Sequence, residues 1–60
     1  MPLQADIEKT LRARNLVTEE QLVIAKREQE HRSALVDEIL VDLGYLKEED
    51  ALKVRAEHLN

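Results

Sequence analysis

Sixty residues with a single glycine, Gly44, and a single proline, Pro2, leave the backbone very few places to break or turn. Helix is therefore the default for most of the chain, and the few positions able to end a helix set where segments divide. Leu3, Ile7 and Leu11 recur every four residues and predict a helix over about residues 3–14, closed by Asn15 in the left-handed conformation. Val17-Thr18-Glu19-Glu20-Gln21-Leu22 then reads as a helix start. Thr18 is the N-cap, Gln21 completes a capping box, and Val17 with Leu22 forms a hydrophobic staple. The helix it opens, about 19–31, carries Leu22, Ala25 and the aliphatic part of Gln29 on one face, broadened by Val23 and Ile24.

Ser33 is the candidate cap of a third helix with a wide apolar stripe: Ala34, Leu35, Val36, Ile39, Leu40 and Leu43. Gly44 stops it. A fourth helix, Lys47 to about His58, opens on Glu48, Glu49 and Asp50 at the positive end of its dipole. It presents Ala51, Val54 and either Leu52 or the stem of Arg55 inward. The expected fold is all-α: four short helices in one domain spanning residues 1–60.

The segments also align with one another at a spacing of 29 residues. Ile7 falls on Val36, Leu11 on Leu40, Asn15 on Gly44, Leu16 on Tyr45 and Val17 on Leu46. Glu19 and Glu20 fall on Glu48 and Glu49, Leu22 on Ala51, Ala25 on Val54 and Gln29 on His58. Repeat one covers about residues 6–29 and repeat two about 35–58. The register holds through a turn as well as through apolar positions, so we expect two helical hairpins, each too small to bury its own apolar face, packed together about a pseudo-twofold axis.

That pairing answers the problem of size. A chain this short buries only about 60% of the surface its unfolded form exposes, and usually needs a staple or very regular helix packing. Having no cysteine, it lacks disulfides, cysteine-based zinc sites and thiol chemistry. Two histidines are too few for an all-histidine site. Apolar runs reach only three to four residues, which excludes membrane insertion. The start, MPLQADIEK, has no basic-then-apolar secretory pattern and reads as cytoplasmic.

Charge narrows the function further. Nine basic and thirteen acidic residues give a net charge of −4. Residues 1–33 hold six of each sign, whereas residues 34–60 hold three basic and seven acidic. Arg12, Arg14, Lys26, Arg27 and Arg32 would form a basic patch for a small helix-turn-helix DNA-binding regulator, but they interleave with Glu28 and Glu30, and the acidic half repels phosphate. Nucleic acid is not the expected partner. Glu28 with His31, and Glu57 with His58, have ligand-compatible spacing but no third ligand, and read as solvated helix ends, so no metal site is expected. The hydroxyls Thr18 and Ser33 are accounted for as caps. Without a glycine-rich loop or room for a concave pocket no catalytic residue is assigned, and the chain reads as a non-enzyme.

Asn15-Leu16-Val17-Thr18-Glu19-Glu20-Gln21-Leu22, ending in Gln29, and Glu38-Ile39-Leu40-Val41-Asp42-Leu43-Gly44-Tyr45-Leu46-Lys47-Glu48-Glu49-Asp50, ending in Glu57-His58-Leu59, resemble the N-terminal domain of bacterial type II secretion and type IV pilus assembly ATPases. That family carries a twice-repeated pattern of the form RLGxxLLxxGxIxxxxLxxALxxQ, and the likeness covers about residues 6–59. It implies a docking or regulatory domain of secretion or pilus machinery, whose partner would be a cytoplasmic segment of a membrane-platform protein. Some members bind cyclic di-GMP, which makes a cyclic di-GMP-sensing domain the competing function. Carried over by position, a cyclic dinucleotide would meet Leu11, Leu22, Gln29, Leu40 and Gly44. The family's Arg-Leu-Gly opening falls here on Asp6-Ile7-Glu8 and Leu35-Val36-Asp37, which puts acids where an anionic ligand would lie. No cofactor is therefore expected.

Val23, Ile24, Val41, Leu52 and Tyr45 exceed what so thin a core can hold. Apolar residues left outside a small core mark an interaction surface. Val23, Ile24, Lys26, Arg27, Tyr45 and Leu52 are the candidate partner-binding residues, for a protein partner or a homo-oligomer.

Overall fold

The computed structural model describes residues 3–59, with the side chains of Leu3 and Leu59 outside the described set. The described chain is all-helical: α1 (Leu3–Ala13), α2 (Glu19–Gln29), α3 (Val36–Asp42) and α4 (Glu48–Leu59). Leu3, expected to head the α1 stripe, is thus one expectation that lies outside the described side chains.

Local chemistry explains each boundary. Asn15, with φ of 55°, and Gly44, with φ of 82°, are both left-handed and end α1 and α3. The Leu16 N–H reaches the Leu11 carbonyl at 3.0 Å and the Asn15 N–H reaches that of Arg12 at 3.0 Å. After α3, Tyr45 N–H bonds the Leu40 carbonyl at 2.9 Å and Gly44 N–H bonds that of Val41 at 3.0 Å. Both turns are thus Schellman motifs, which satisfy carbonyls the helix end would otherwise leave unpaired.

At the start of α2, Thr18 Oγ1 accepts from the Gln21 N–H at 3.1 Å and Gln21 Oε1 accepts from the Thr18 N–H at 2.9 Å. Both halves of the capping box are made. Helix α2 ends at Gln29, two residues before the expected 31, as the Glu30 N–H turns to the Arg27 carbonyl at 3.2 Å.

The third helix begins differently from expectation. Its N-cap is Leu35, extended at φ −75° and ψ 155°, and Ser33 lies exposed outside the helix. Glu38 reaches back to the Leu35 N–H at 3.4 Å, so one half of a capping box is supplied without a hydroxyl. The chain runs on past Ser33 because Leu35 is half-buried and brings Val36 into the core.

The core comprises Ile7, Leu11, Val17, Leu22, Ala25, Val36, Ile39, Leu40, Leu46, Ala51 and Val54, with Leu16, Ala34, Val41 and Tyr45 packed against it. Leu43, expected in the α3 stripe, is 38% exposed, and on α4 the inward partner is Arg55 while Leu52 is exposed. The most extensive helix contacts are α2 with α3 and α1 with α4; α1 with α3 and α3 with α4 also meet. Helices α1 and α2, though joined by a short turn, make no comparable contact. Each half therefore buries its apolar face mainly against the other half. The result is a body of 29 × 23 × 17 Å, about two helix diameters thick at its narrowest.

Candidate functional site

Among the described residues two carboxylates are buried, one in each half: Glu8 on α1 and Asp37 on α3. An ionised carboxylate in a core is costly unless it is paired. Asp37 stands in the first turn of α3, where the helix dipole favours negative charge. Its Oδ2 lies 2.6 Å from Arg55 Nη2, which also reaches Glu38 Oε1 at 3.4 Å. Burial penalises the Arg55 charge, but the hydrogen bond and charge of Asp37, reinforced by Glu38, outweigh that penalty and hold the guanidinium above its ordinary pKa. The pair is incompletely satisfied: Asp37 Oδ1 and Arg55 Nε are buried without a hydrogen-bond partner among the described residues.

Glu8 is served from two sides. Lys26 Nζ on α2 lies 3.3 Å from its Oε1, and Arg12 Nη2 lies 3.9 Å away on its own helix. Arg12 then crosses to α2, where Nε and Nη2 donate to the two oxygens of Glu19 at 2.8 and 3.1 Å. That fork is the geometry in which arginine binds a carboxylate most strongly. An acid on the first helix of each half is thus neutralised by a base on the second helix of the same half.

Neither acid offers its charge to solvent. Asp6, the remaining acid of the Arg-Leu-Gly comparison, is half-buried. Of the residues a cyclic dinucleotide would meet, Leu11, Leu22 and Leu40 are fully buried in the core. Gln29 is engaged with Gln4 and donates to the Ala34 carbonyl at 2.9 Å. Gly44 is exposed and serves the turn after α3.

The partner-binding candidates divide between two places. Val23, 49% exposed, shares a shallow depression on α2 with Lys26, Arg27 and Glu30. Leu52, 58% exposed, stands in a groove of about 250 Å³ between α3 and α4, with Val41, Asp42, Glu48 and the Asp37–Arg55 pair around it. Ile24 is half-buried and lines neither, and Tyr45 packs against the core.

Most of the basic residues are already matched by acids. Arg12 pairs with Glu19, Arg14 with Glu57, Lys26 with Glu8, and Arg32 with Asp42 at 2.5 Å. The hydrogen bond that Arg32 donates to Asp42 is the main reason that its guanidinium sits above its ordinary pKa. Arg27 has no acidic partner among the described residues. His58 Nε2 lies 2.7 Å from Thr10 Oγ1, tying α4 to α1, while His31 is exposed. Among the described residues no three histidine, aspartate or glutamate side chains gather as a cation site. No described helix is long and apolar enough to cross a membrane.

No protein-family model, curated protein or solved structure matches this chain. What it does must be read from its own surfaces.

The twin ion pairs escaped the sequence reading because each joins residues on different helices. Asp37 and Arg55 are 18 positions apart. A signal was present: Glu8 and Asp37, like Lys26 and Arg55, are of matching charge and fall on one another in the 29-residue alignment.

Proposed function

We propose that this chain is a non-enzymatic protein-interaction or regulatory module acting in the cytoplasm. The observation that carries the reading is the exposure of Val23 and Leu52, each set among charged side chains, outside a core that is already closed without them. Large aliphatics held in water beside charges suit a contact surface with an apolar centre and a polar rim. The duplicated pattern and its likeness to the N-terminal domain of secretion and pilus ATPases support the same class, with a cytoplasmic segment of a membrane-platform protein as the partner.

Two other functions have less support. A cyclic di-GMP sensor would need cationic, open positions. Here the corresponding places hold Asp6, Glu8 and Asp37, and the matching leucines are core. A DNA-binding regulator would need unpaired basic residues, whereas Arg12, Arg14, Lys26 and Arg32 are engaged with acids.

Calorimetry with cyclic di-GMP and affinity capture with the chain as bait test the reading together. We expect no heat of nucleotide binding and retention of a discrete protein. Tight, saturable cyclic di-GMP binding would overturn it.

A further inference from the structure

The two halves of the molecule differ at one groove. Arg12 and Val41 hold the same place in their turns, since their carbonyls accept the N–H of left-handed Asn15 and Gly44 respectively. Glu19 and Glu48 likewise each open the following helix. In the first half Arg12 spans the gap between helices, forking onto Glu19 and approaching Glu8. In the second half Val41 is too short to do so. The groove stays open, Glu48 forms no ion pair among the described residues, and the 2%-exposed Asp37 beneath it keeps an unpartnered Oδ1. An exposed Leu52 stands at its edge. The groove between α3 and α4 has no counterpart of Arg12 reaching Glu48.

The missing group is present elsewhere on the surface. Arg27 on α2 has no acidic partner among the described residues, and Val23 stands four residues before it, one turn away on the same face. We propose that the groove receives α2 of a second copy of this chain, with Arg27 forking onto Glu48 above Asp37 and Val23 packing on Leu52. This extends the protein-interaction reading and depends on it. On the rim Glu38 is held by Arg55 and Asp42 by Arg32, which leaves Glu48 as the acid open to a cation, while Val41 and Leu52 complement an aliphatic side chain. Donor and acceptor lie on different helices, so the contact is head-to-tail and each copy keeps one free end. So small a contact belongs to the weak, transient class, and association is expected at about millimolar concentration.

Sedimentation equilibrium with amide NMR across a concentration series tests this on the intact chain. We expect the average mass to rise with concentration, with shifts confined to Val23, Arg27, Val41, Glu48 and Leu52 and their neighbours. Arg27→Glu and Glu48→Arg, each checked for an unchanged melt, should both stay monomeric. An equimolar mixture of the two should associate again, because each variant's α2 then meets a groove of opposite charge on the other. The double variant Arg27→Glu/Glu48→Arg, with the charges exchanged, should associate again. A monomer throughout the series, association indifferent to both single variants, or no association in the mixture would overturn the proposal. A heterologous protein captured by the monomeric wild type, and lost on Leu52→Asp, would assign the groove to another occupant while leaving the interaction reading in place.

Discussion

Arg55 Nη2 and Asp37 Oδ2 meet at 2.6 Å beneath the α3–α4 groove, joining an almost fully buried carboxylate to a guanidinium whose side chain is 27% exposed. Asp37 has no other cationic partner among the described residues, whereas Glu8 in the other half has both Lys26 and Arg12. The two pairs therefore differ in what their loss would do.

Arg55→Ala strands a buried charge and should destabilise the fold by about 3 kcal/mol in a urea melt. Lys26→Ala should cost about 1 kcal/mol or less, because Lys26 is half-exposed and Arg12 remains beside Glu8. Asp37→Leu with Arg55→Met, which removes both charges, should recover most of the Arg55→Ala loss. Equal costs for Arg55→Ala and Lys26→Ala would show that the asymmetry between the halves has no energetic meaning.

Leu40 is fully buried at the centre of α3, and Leu40→Ala should cost about 2–5 kcal/mol, enough to unfold a domain of this size. Leu52→Ala should change stability by about 0.5 kcal/mol or less, since that side chain is 58% exposed. Thermal melts of the two variants check both, and a large loss at Leu52 would make it part of the core.

The turn after α3 isolates a backbone effect. A Cβ at Gly44 would meet nothing within 4 Å, so Gly44→Ala tests φ alone and should cost about 1–2 kcal/mol. Gly44→Asn should cost less, as Asn15 already holds the equivalent conformation. Thr18→Ala should cost about 1 kcal/mol through the lost cap. Chemical denaturation of the three variants gives the ranking.

These local features were legible in the sequence because their causes lie within a few residues. Thr18 with Gln21, and the left-handed Asn15 and Gly44, announce themselves through side-chain chemistry and backbone freedom. The apolar periodicity likewise marked Ile7, Leu11, Leu22, Ala25, Val36, Ile39, Leu40 and Val54 as core. Choices made between helices were not legible. Whether Leu52 or Arg55 faces inward depends on Asp37 on α3: apolar character favours the leucine, whereas the spacing from Ala51 and Val54 favours position 55. Ser33 looked like a cap by its hydroxyl, but burial of Val36 and the reach of Glu38 moved the start of α3 to Leu35. The acids Glu8 and Asp37 were readable as unfavourable for an anionic ligand, yet their burial follows from the helix pairing. For the same reason the candidate contact residues were recognisable as surplus to the core, while their division between an α2 depression and an α3–α4 groove was not.

The account turns on Val23 and Leu52 serving contact with protein and contributing little to the fold. Quantitative affinity capture with wild-type and Val23→Asp/Leu52→Asp baits, melted side by side, tests that most directly. The account predicts superimposable melts and loss of the protein that the wild type retains. A folded double variant that retains the same protein, or one that no longer folds, would contradict it.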